Sequence, residues 1–128
     1  MARIKKFDTR PEIAVRRIVH AHGYRYRLHV RELPGTPDLV FPRLRKVIFV
    51  HGCFWHRHEC RDGRKLPTGN HGYWIPKLAR NVERDARDGK SLRALGWDVL
   101  VVWECQLSRP QELANTLLAF LGGGSSDQ

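Results

Sequence analysis

The sequence predicts an α/β domain in which helices flank a mixed sheet. Two short apolar runs, residues 47–50 and 99–102, lack polar alternation, which is typical of strands buried on both faces. The segment between them contains a long helical pattern, and a helical crossover lets the last strand join its neighbour in parallel. The chain has 128 residues, so we expect one domain over residues 1–121 and a flexible tail over 122–128.

The first half of the chain predicts one helix and then three strands. Thr9 and Glu12 have the spacing of a capping box, so a helix begins after Thr9, and Gly23 is a natural end for it. The segments that follow either alternate in polarity or are short and apolar, and glycine and proline separate them. The predicted elements are a helix over residues 10–22 and strands over 24–30, 38–41 and 47–50.

The second half predicts helix, strand and helix. Its long helix has apolar residues near one stripe and Gly96 after its end. Ser108 and Gln111 have the spacing that begins a last amphipathic helix. The predicted elements are a helix over residues 75–95, a strand over 97–103 and a helix over 108–121, and the stripe comprises Leu78, Val82, Ala86 and Leu92.

Composition and charge exclude several classes of protein. Hydrophobic residues make up 41% and charged residues 28% of the chain, which is the balance of a globular domain. Apolar runs stay shorter than the roughly 18–20 residues that span a bilayer, and residues 1–6 lack the apolar stretch of a signal peptide. We therefore expect a cytoplasmic protein with no membrane partner. The 23 Lys and Arg against 13 Asp and Glu give a net charge of +10, which favours nucleic acid as the partner.

Cysteine and histidine cluster in one irregular segment. Three cysteines cannot all pair with one another, and a cytoplasmic chain keeps its thiols reduced. Two of them enclose histidines at metal-ligand spacing, which predicts a structural zinc site that orders the loop. From spacing alone, His56 and His58 compete for one ligand position, and the alternative is that Cys105 is a buried thiol. The predicted ligand set is Cys53, Cys60, Cys105 and one of these two histidines.

A second group of residues predicts a reaction centre. Asp38 opens one strand, His51 ends the next, and His56 follows, so neighbouring strands bring all three to one edge of the sheet. A carboxylate there can hold Mg²⁺, and a neutral imidazole can deprotonate an attacking water, as phosphodiester hydrolysis requires. Taken alone, Asp38 also suits turn chemistry and Glu12 also suits a capping box. We expect the remaining histidines, His20, His22, His29 and His71, to lie on the surface.

Four ordered motifs resemble the very-short-patch repair endonucleases. They are LPGTPD at residues 33–38, HGCFWH at 51–56, NVERD at 81–85 and WEC at 103–105. The resemblance covers roughly residues 9–107 and implies a restriction-endonuclease-like core. It also implies an enzyme that uses Mg²⁺ to nick DNA beside a thymine–guanine mismatch and that carries a structural zinc. Double-stranded DNA with such a mismatch is then the partner, mismatch-repair proteins are candidate further partners, and a monomer is the default state.

The resemblance also implies roles for individual residues. Asp38 becomes the metal carboxylate and His56 the general base, with His51 and Glu12 as supporting residues. Asp85 orients the base histidine. The best-known relatives have threonine at the position of Val50, and the backbone carbonyl of that threonine binds the metal. The resemblance therefore implies the Val50 carbonyl as a further Mg²⁺ ligand. For zinc, the resemblance selects His58 over His56.

DNA-contacting residues follow from the same resemblance. Phe54, Trp55 and Trp74 match an aromatic wedge that enters the base stack, where a mismatched step costs less to open. Lys77 and Asn81 match positions that touch the mismatched region, and Arg80, Arg84 and Arg87 continue beside them as candidate phosphate ligands. The alternatives are loop core for the aromatic residues and an ordinary solvated face for the helix.

Three functions remain open at this point. The first is a Mg²⁺-dependent mismatch nickase, and the second is a non-catalytic, zinc-ordered DNA-binding module. The third is a related nuclease of different specificity, for instance for branched DNA. Its basis is the N-terminal segment: eight residues precede Thr9, whereas the best-known relatives begin with a longer arm that clasps DNA.

Overall fold

The computed structural model describes residues 9–53, 69 and 71–122. The predicted order of helix, three strands, helix, strand and helix is confirmed, with a 3-10 helix added after the last strand. The helices are α1 (Arg10–Ala21), α2 (His71–Ala94) and α3 (Pro110–Gly122), the strands are β1 (Arg27–Leu28), β2 (Leu39–Phe41), β3 (Lys46–His51) and β4 (Asp98–Trp103), and the 3-10 helix is Glu104–Ser108.

The four strands form one mixed sheet in the order β1-β2-β3-β4. β1 pairs with β2 and β2 with β3 in antiparallel fashion, whereas β3 and β4 run parallel. The parallel pair follows from the helical crossover through α2 between these two strands. The predicted mixed sheet flanked by helices is therefore confirmed.

Helices cover both faces of the sheet. On one face, buried residues of α1 and α3 such as Val19 and Leu117 pack with Ile48 of β3. On the other face, Leu92 of α2 packs with Val47 of the same strand. Because successive side chains of a strand point to opposite faces, a strand covered on both sides must be apolar throughout, as the run at residues 47–50 is. No helix within 9–53 or 71–122 is long and apolar enough to cross a membrane.

Two elements differ from the predictions by more than two residues at one end. The strand predicted over residues 24–30 is ordered as a strand only at Arg27–Leu28. It ends there because His29 adopts a φ of 47°, which leaves the extended region. The helix predicted from residue 75 begins at His71 and continues through Pro76. Pro76 lacks the amide hydrogen that would bond to the carbonyl one turn earlier, and the helix nevertheless includes it. The last helix, predicted from residue 108, begins at Pro110, because Ser108 belongs to the 3-10 helix that precedes it.

The predicted apolar stripe of α2 is half wrong. Leu78 and Leu92 are buried as expected, but Val82 is 41% exposed and Ala86 is exposed. The positions that face the sheet with Leu78 and Leu92 are instead occupied by Asp85 and other polar residues, which are half-buried. Hydrophobic periodicity could not identify this face because part of it is polar.

Candidate active site

Asp38 lies immediately before β2, at the sheet edge where β3 ends. Its Oδ2 atom accepts a hydrogen bond from the backbone N–H of Val50 at 2.6 Å, and its side chain is 16% exposed. Because β2 and β3 are antiparallel, the residue before β2 lies beside the last residues of β3. The structure thus brings together Asp38 and Val50, the two residues predicted to hold the same cation.

Glu12 reaches this edge from the first turn of α1. Thr9 caps the helix, and its hydroxyl oxygen accepts a hydrogen bond from the Glu12 backbone N–H at 3.4 Å. The Glu12 carboxylate is 3% exposed and accepts hydrogen bonds from the Thr9 hydroxyl at 3.3 Å and from Arg16 at 3.2 Å. It also contacts His29, 17 residues away in sequence. The local capping alternative does not explain this long-range contact.

The expectation that His29 lies on the surface is wrong. The β1–β2 register pairs Leu28 with Leu39, so the next position pairs His29 with Asp38, and the His29 backbone N–H donates to the Asp38 carbonyl at 3.3 Å. The His29 side chain is 17% exposed, and its Nε2 atom lies 3.0 Å from Glu12 Oε2 and 3.8 Å from Asp38 Oδ1. His29 therefore stands between the two carboxylates.

Glu12, His29 and Asp38 form what we call the edge cluster. One potential ligand atom from each residue lies within 4.8 Å of the other two. The three residues come from α1, from the end of β1 and from the start of β2, so only the folded chain assembles them. Carboxylate oxygens and imidazole nitrogens are ligands of divalent cations. The cluster is chemically competent to bind one.

His51 and Asp85 form a second polar pair. His51 ends β3 and is 8% exposed, and its ring lies 5.3 Å from that of Trp103, its register partner on β4. Its Nδ1 atom is 4.0 Å from Oδ2 of Asp85 on α2. Asp85 was predicted to orient the base histidine, His56, which lies outside the described residues. The described histidine beside Asp85 is His51.

The parallel register of β3 and β4 brings two predicted zinc ligands together. His51 of β3 pairs with Trp103 of β4. Cys53 and Cys105 each lie two residues beyond a member of this pair. Cys53 is 1% exposed, and its Sγ atom accepts a hydrogen bond from the Cys105 backbone N–H at 3.4 Å. The other predicted ligands, His58 and Cys60, lie outside the described residues, so the zinc loop stays a prediction.

One half-buried stripe of α2 carries four of the predicted site residues. Trp74, Lys77, Asn81 and Asp85 follow one another at intervals of three or four residues, which places them on one helical face. All four are half-buried. Asp85 contacts His51, so this stripe connects the predicted DNA-contacting residues to the sheet edge where the reaction centre is expected.

The predicted phosphate ligands lie on the exposed side of α2. Arg80 and Arg84 are exposed, as is the side chain of Arg87, and Arg84 donates a hydrogen bond to Asn81 Oδ1 at 2.8 Å. At the start of α2, the rings of Tyr73 and Trp74 lie 4.9 Å apart in an edge-to-face arrangement. Phe54 and Trp55, the other members of the predicted aromatic wedge, lie outside the described residues.

Sequence reasoning missed His29 because it relied on alternation. The alternation of polar and apolar residues placed His29 on the solvent-exposed face of a continuous strand, together with the neighbouring arginines. A usable signal was nevertheless present in the turn at residues 33–37, because an antiparallel pair around that turn sets residues near 29 opposite Asp38.

Comparison with known proteins identifies the family. The family model of the DNA mismatch endonuclease Vsr matches residues 1–62. The chain is 55% identical over 108 residues to the type II nicking enzyme V.XorIIP of Xanthomonas oryzae pv. oryzae, covering 84% of this chain and 79% of that protein. It is 42% identical over 118 residues to the DNA mismatch endonuclease Vsr of Escherichia coli K12, covering 92% and 75% respectively. The chain therefore belongs to the Vsr family of DNA mismatch endonucleases and is an endonuclease of that family.

Proposed function

We propose that this protein cuts one strand of duplex DNA at thymine–guanine mismatches in a reaction that depends on Mg²⁺. The observation that carries the proposal is the edge cluster, in which carboxylates from α1 and the start of β2 converge at one sheet edge. The relatives support it in part, since one is named a DNA mismatch endonuclease and another a type II nicking enzyme.

The edge cluster fits a divalent cation. Two ligands of one Mg²⁺ ion, each about 2.1 Å from it, lie at most roughly 4.2 Å apart. The ligand atoms of the cluster lie within 4.8 Å of one another, so a contraction of less than about 1 Å would bring them around one ion. Glu12 and Asp38 would hold the ion, with the Val50 carbonyl as the further ligand that the resemblance implies. When bound, Mg²⁺ would stabilise the negative charge that develops on the scissile phosphate.

The surrounding residues give the edge its shape and charge. The Val50 N–H fixes Asp38, and Thr9 and Arg16 fix Glu12, so neither carboxylate must reorganise to meet a substrate. His51 and Asp85 line the same edge from the other side of the sheet. We propose His56 as the base that takes the proton from the attacking water.

DNA binding is assigned to α2. The half-buried stripe with Trp74, Lys77 and Asn81 would face the mismatched step, and the exposed Arg80 and Arg84 would meet phosphates. An aromatic residue inserted between bases opens a mismatched step at a lower free-energy cost than a paired one, which gives the selectivity a physical basis.

A structural zinc completes the proposal. The contact between Cys53 and Cys105 joins the end of β3 to the 3-10 helix after β4, and thiolates are preferred zinc ligands. With His58 and Cys60, a bound zinc would fasten the segment between β3 and α2 to the end of the sheet that carries the reaction centre.

The proposal is tested with Asp38→Asn on two duplexes that differ only in one thymine–guanine pair. Asparagine can still accept the Val50 hydrogen bond but is a poor cation ligand, so nicking should fall by at least about a hundredfold. The matched control is Asp98→Asn, an exposed residue at the start of β4, far from the edge cluster. It should nick at the wild-type rate.

Three outcomes decide whether the proposal holds. Mg²⁺-dependent nicking of the mismatched duplex that Asp38→Asn abolishes supports the proposal. Equal cutting of matched and mismatched duplexes would replace it with a nuclease of different specificity. Wild-type nicking by Asp38→Asn would remove the edge cluster from the mechanism.

A further inference from the structure

We propose that His29 is a ligand of the catalytic cation, so that the edge cluster is a mixed oxygen and nitrogen site with a preference for Mn²⁺ over Mg²⁺. This inference rests on the proposed function, because it takes Glu12 and Asp38 as the residues that hold the ion. It adds a third side chain that the sequence had assigned to the surface.

The backbone places His29 specifically. Its N–H bonds to the Asp38 carbonyl, and its φ of 47° ends β1 at this position. A non-glycine residue in the left-handed region costs roughly 1 kcal/mol or more, although histidine enters that region more often than most residues. Such conformations cluster at ligand and active sites, where the geometry they produce is used. Here the result is an imidazole directed at two carboxylates.

The distances from Nε2 suit a shared ion. Nε2 lies 3.0 Å from Glu12 Oε2 and 3.8 Å from Asp38 Oδ1. Ligands at about 2.0–2.2 Å from one octahedral ion are separated by roughly 3 Å when adjacent and 4 Å when opposite. The imidazole therefore needs little movement to act as the third ligand.

The nitrogen ligand changes which cation the site prefers. Mg²⁺ binds oxygen ligands and keeps several waters, whereas imidazole favours transition metals. A site of carboxylates alone would distinguish Mn²⁺ from Mg²⁺ weakly. The addition of His29 would raise the affinity for Mn²⁺ far more than that for Mg²⁺.

The alternative is that His29 only positions Glu12 through a hydrogen bond. Glutamine at residue 29 can still donate a hydrogen bond to Glu12 but is a weak metal ligand. The variant His29→Gln therefore separates the two roles. The matched control is His20→Gln, which changes an exposed histidine on the last turn of α1.

The experiment measures Mn²⁺ binding to the full chain from the electron paramagnetic resonance signal of free Mn²⁺, and Mg²⁺ binding by displacement of that Mn²⁺. Asp38→Asn defines the background from other sites. For His29→Gln, we expect Mn²⁺ affinity to fall at least about tenfold and Mg²⁺ affinity less than about threefold. The pulsed spectrum of bound Mn²⁺ should lose an imidazole nitrogen coupling.

The ratio of the two affinities is the decisive quantity, because a loss of folded protein lowers both equally. Equal losses for both cations, or none for either, would overturn the inference while leaving the proposed function intact. If Asp38→Asn itself binds Mn²⁺ as tightly as the wild type, the proposed cation site is wrong, and the role of His29 falls with it. His20→Gln should match the wild type in every measurement.

Discussion

Gly35 offers a quantitative test of how the turn before Asp38 packs. Its φ is +78°, and a Cβ atom added there would lie 3.0 Å from Cβ and Oδ2 of Asp88 on α2 and 3.1 Å from Cε1 of Phe49 on β3. Gly23 is the matched control, since its φ is +89° but an added Cβ would meet nothing within 4 Å. Both substitutions by alanine share the backbone cost, and only one adds crowding.

The expected magnitudes follow from these two costs. Alanine in the left-handed region costs roughly 1–2 kcal/mol, so Gly23→Ala should lower the free energy of unfolding by about that amount. Crowding in a packed region adds typically 1–3 kcal/mol, so Gly35→Ala should cost roughly 2–5 kcal/mol in total. At about 4 °C per kcal/mol for a chain of this size, the Tm of Gly35→Ala should be about 4–12 °C below that of Gly23→Ala.

The assay is thermal unfolding followed by circular dichroism, with urea unfolding to obtain the free energies. Indistinguishable midpoints for the two variants would refute the packing argument, because the backbone cost alone would then explain both. A double variant, Gly35→Ala with Asp88→Gly, removes two of the three crowding atoms. It should recover part of the difference, beyond the cost that Asp88→Gly has on its own.

Two further predictions concern zinc and DNA. Cys53→Ser should lose most of its zinc in elemental analysis of the purified chain and unfold at a lower temperature, because a thiolate ligand is removed; undiminished zinc would contradict the assigned ligand set. Arg84→Ala should weaken binding to duplex DNA and reduce the magnitude of the slope of log K against log salt by about 1, the contribution of one phosphate contact. Arg93→Ala, which changes an exposed arginine in the last turn of α2, should leave that slope unchanged, and an equal loss in both variants would indicate only a general charge effect.

Local sequence signals predicted the elements well where one mechanism dominated. Thr9 caps α1 through its hydroxyl, as its spacing from Glu12 predicted, and the apolar run at residues 47–50 lies in a strand covered on both faces. Lys46 adds a contact that no local pattern contains, since its Nζ atom donates to the carbonyls of Phe120 and Leu121 near the end of α3. Such contacts join residues far apart in the chain, and periodicity carries no information about them.

α2 shows why a hydrophobic pattern can mislead at a functional site. Val82 and Ala86 were predicted as part of the apolar stripe and are exposed, whereas Lys77, Asn81 and Asp85 lie outside that stripe in sequence and are half-buried. The transfer of polar and charged groups out of water costs free energy, so a hydrophobicity pattern assigns such residues to the protein surface. For Asp85, partial burial brings the carboxylate to His51 at the end of β3.

The sequence by itself determined the order of the elements, the family motifs and the chemical types available at the sheet edge, because capping, alternation and motif spacing are all local properties. Only the tertiary structure decided that His29 stands between Glu12 and Asp38, and that Cys53 lies beside Cys105. Strand register produces both contacts, since an antiparallel pair sets His29 opposite Asp38 and a parallel pair carries two cysteines to the same level. Register is set by pairing between distant segments, which no single segment of the sequence encodes.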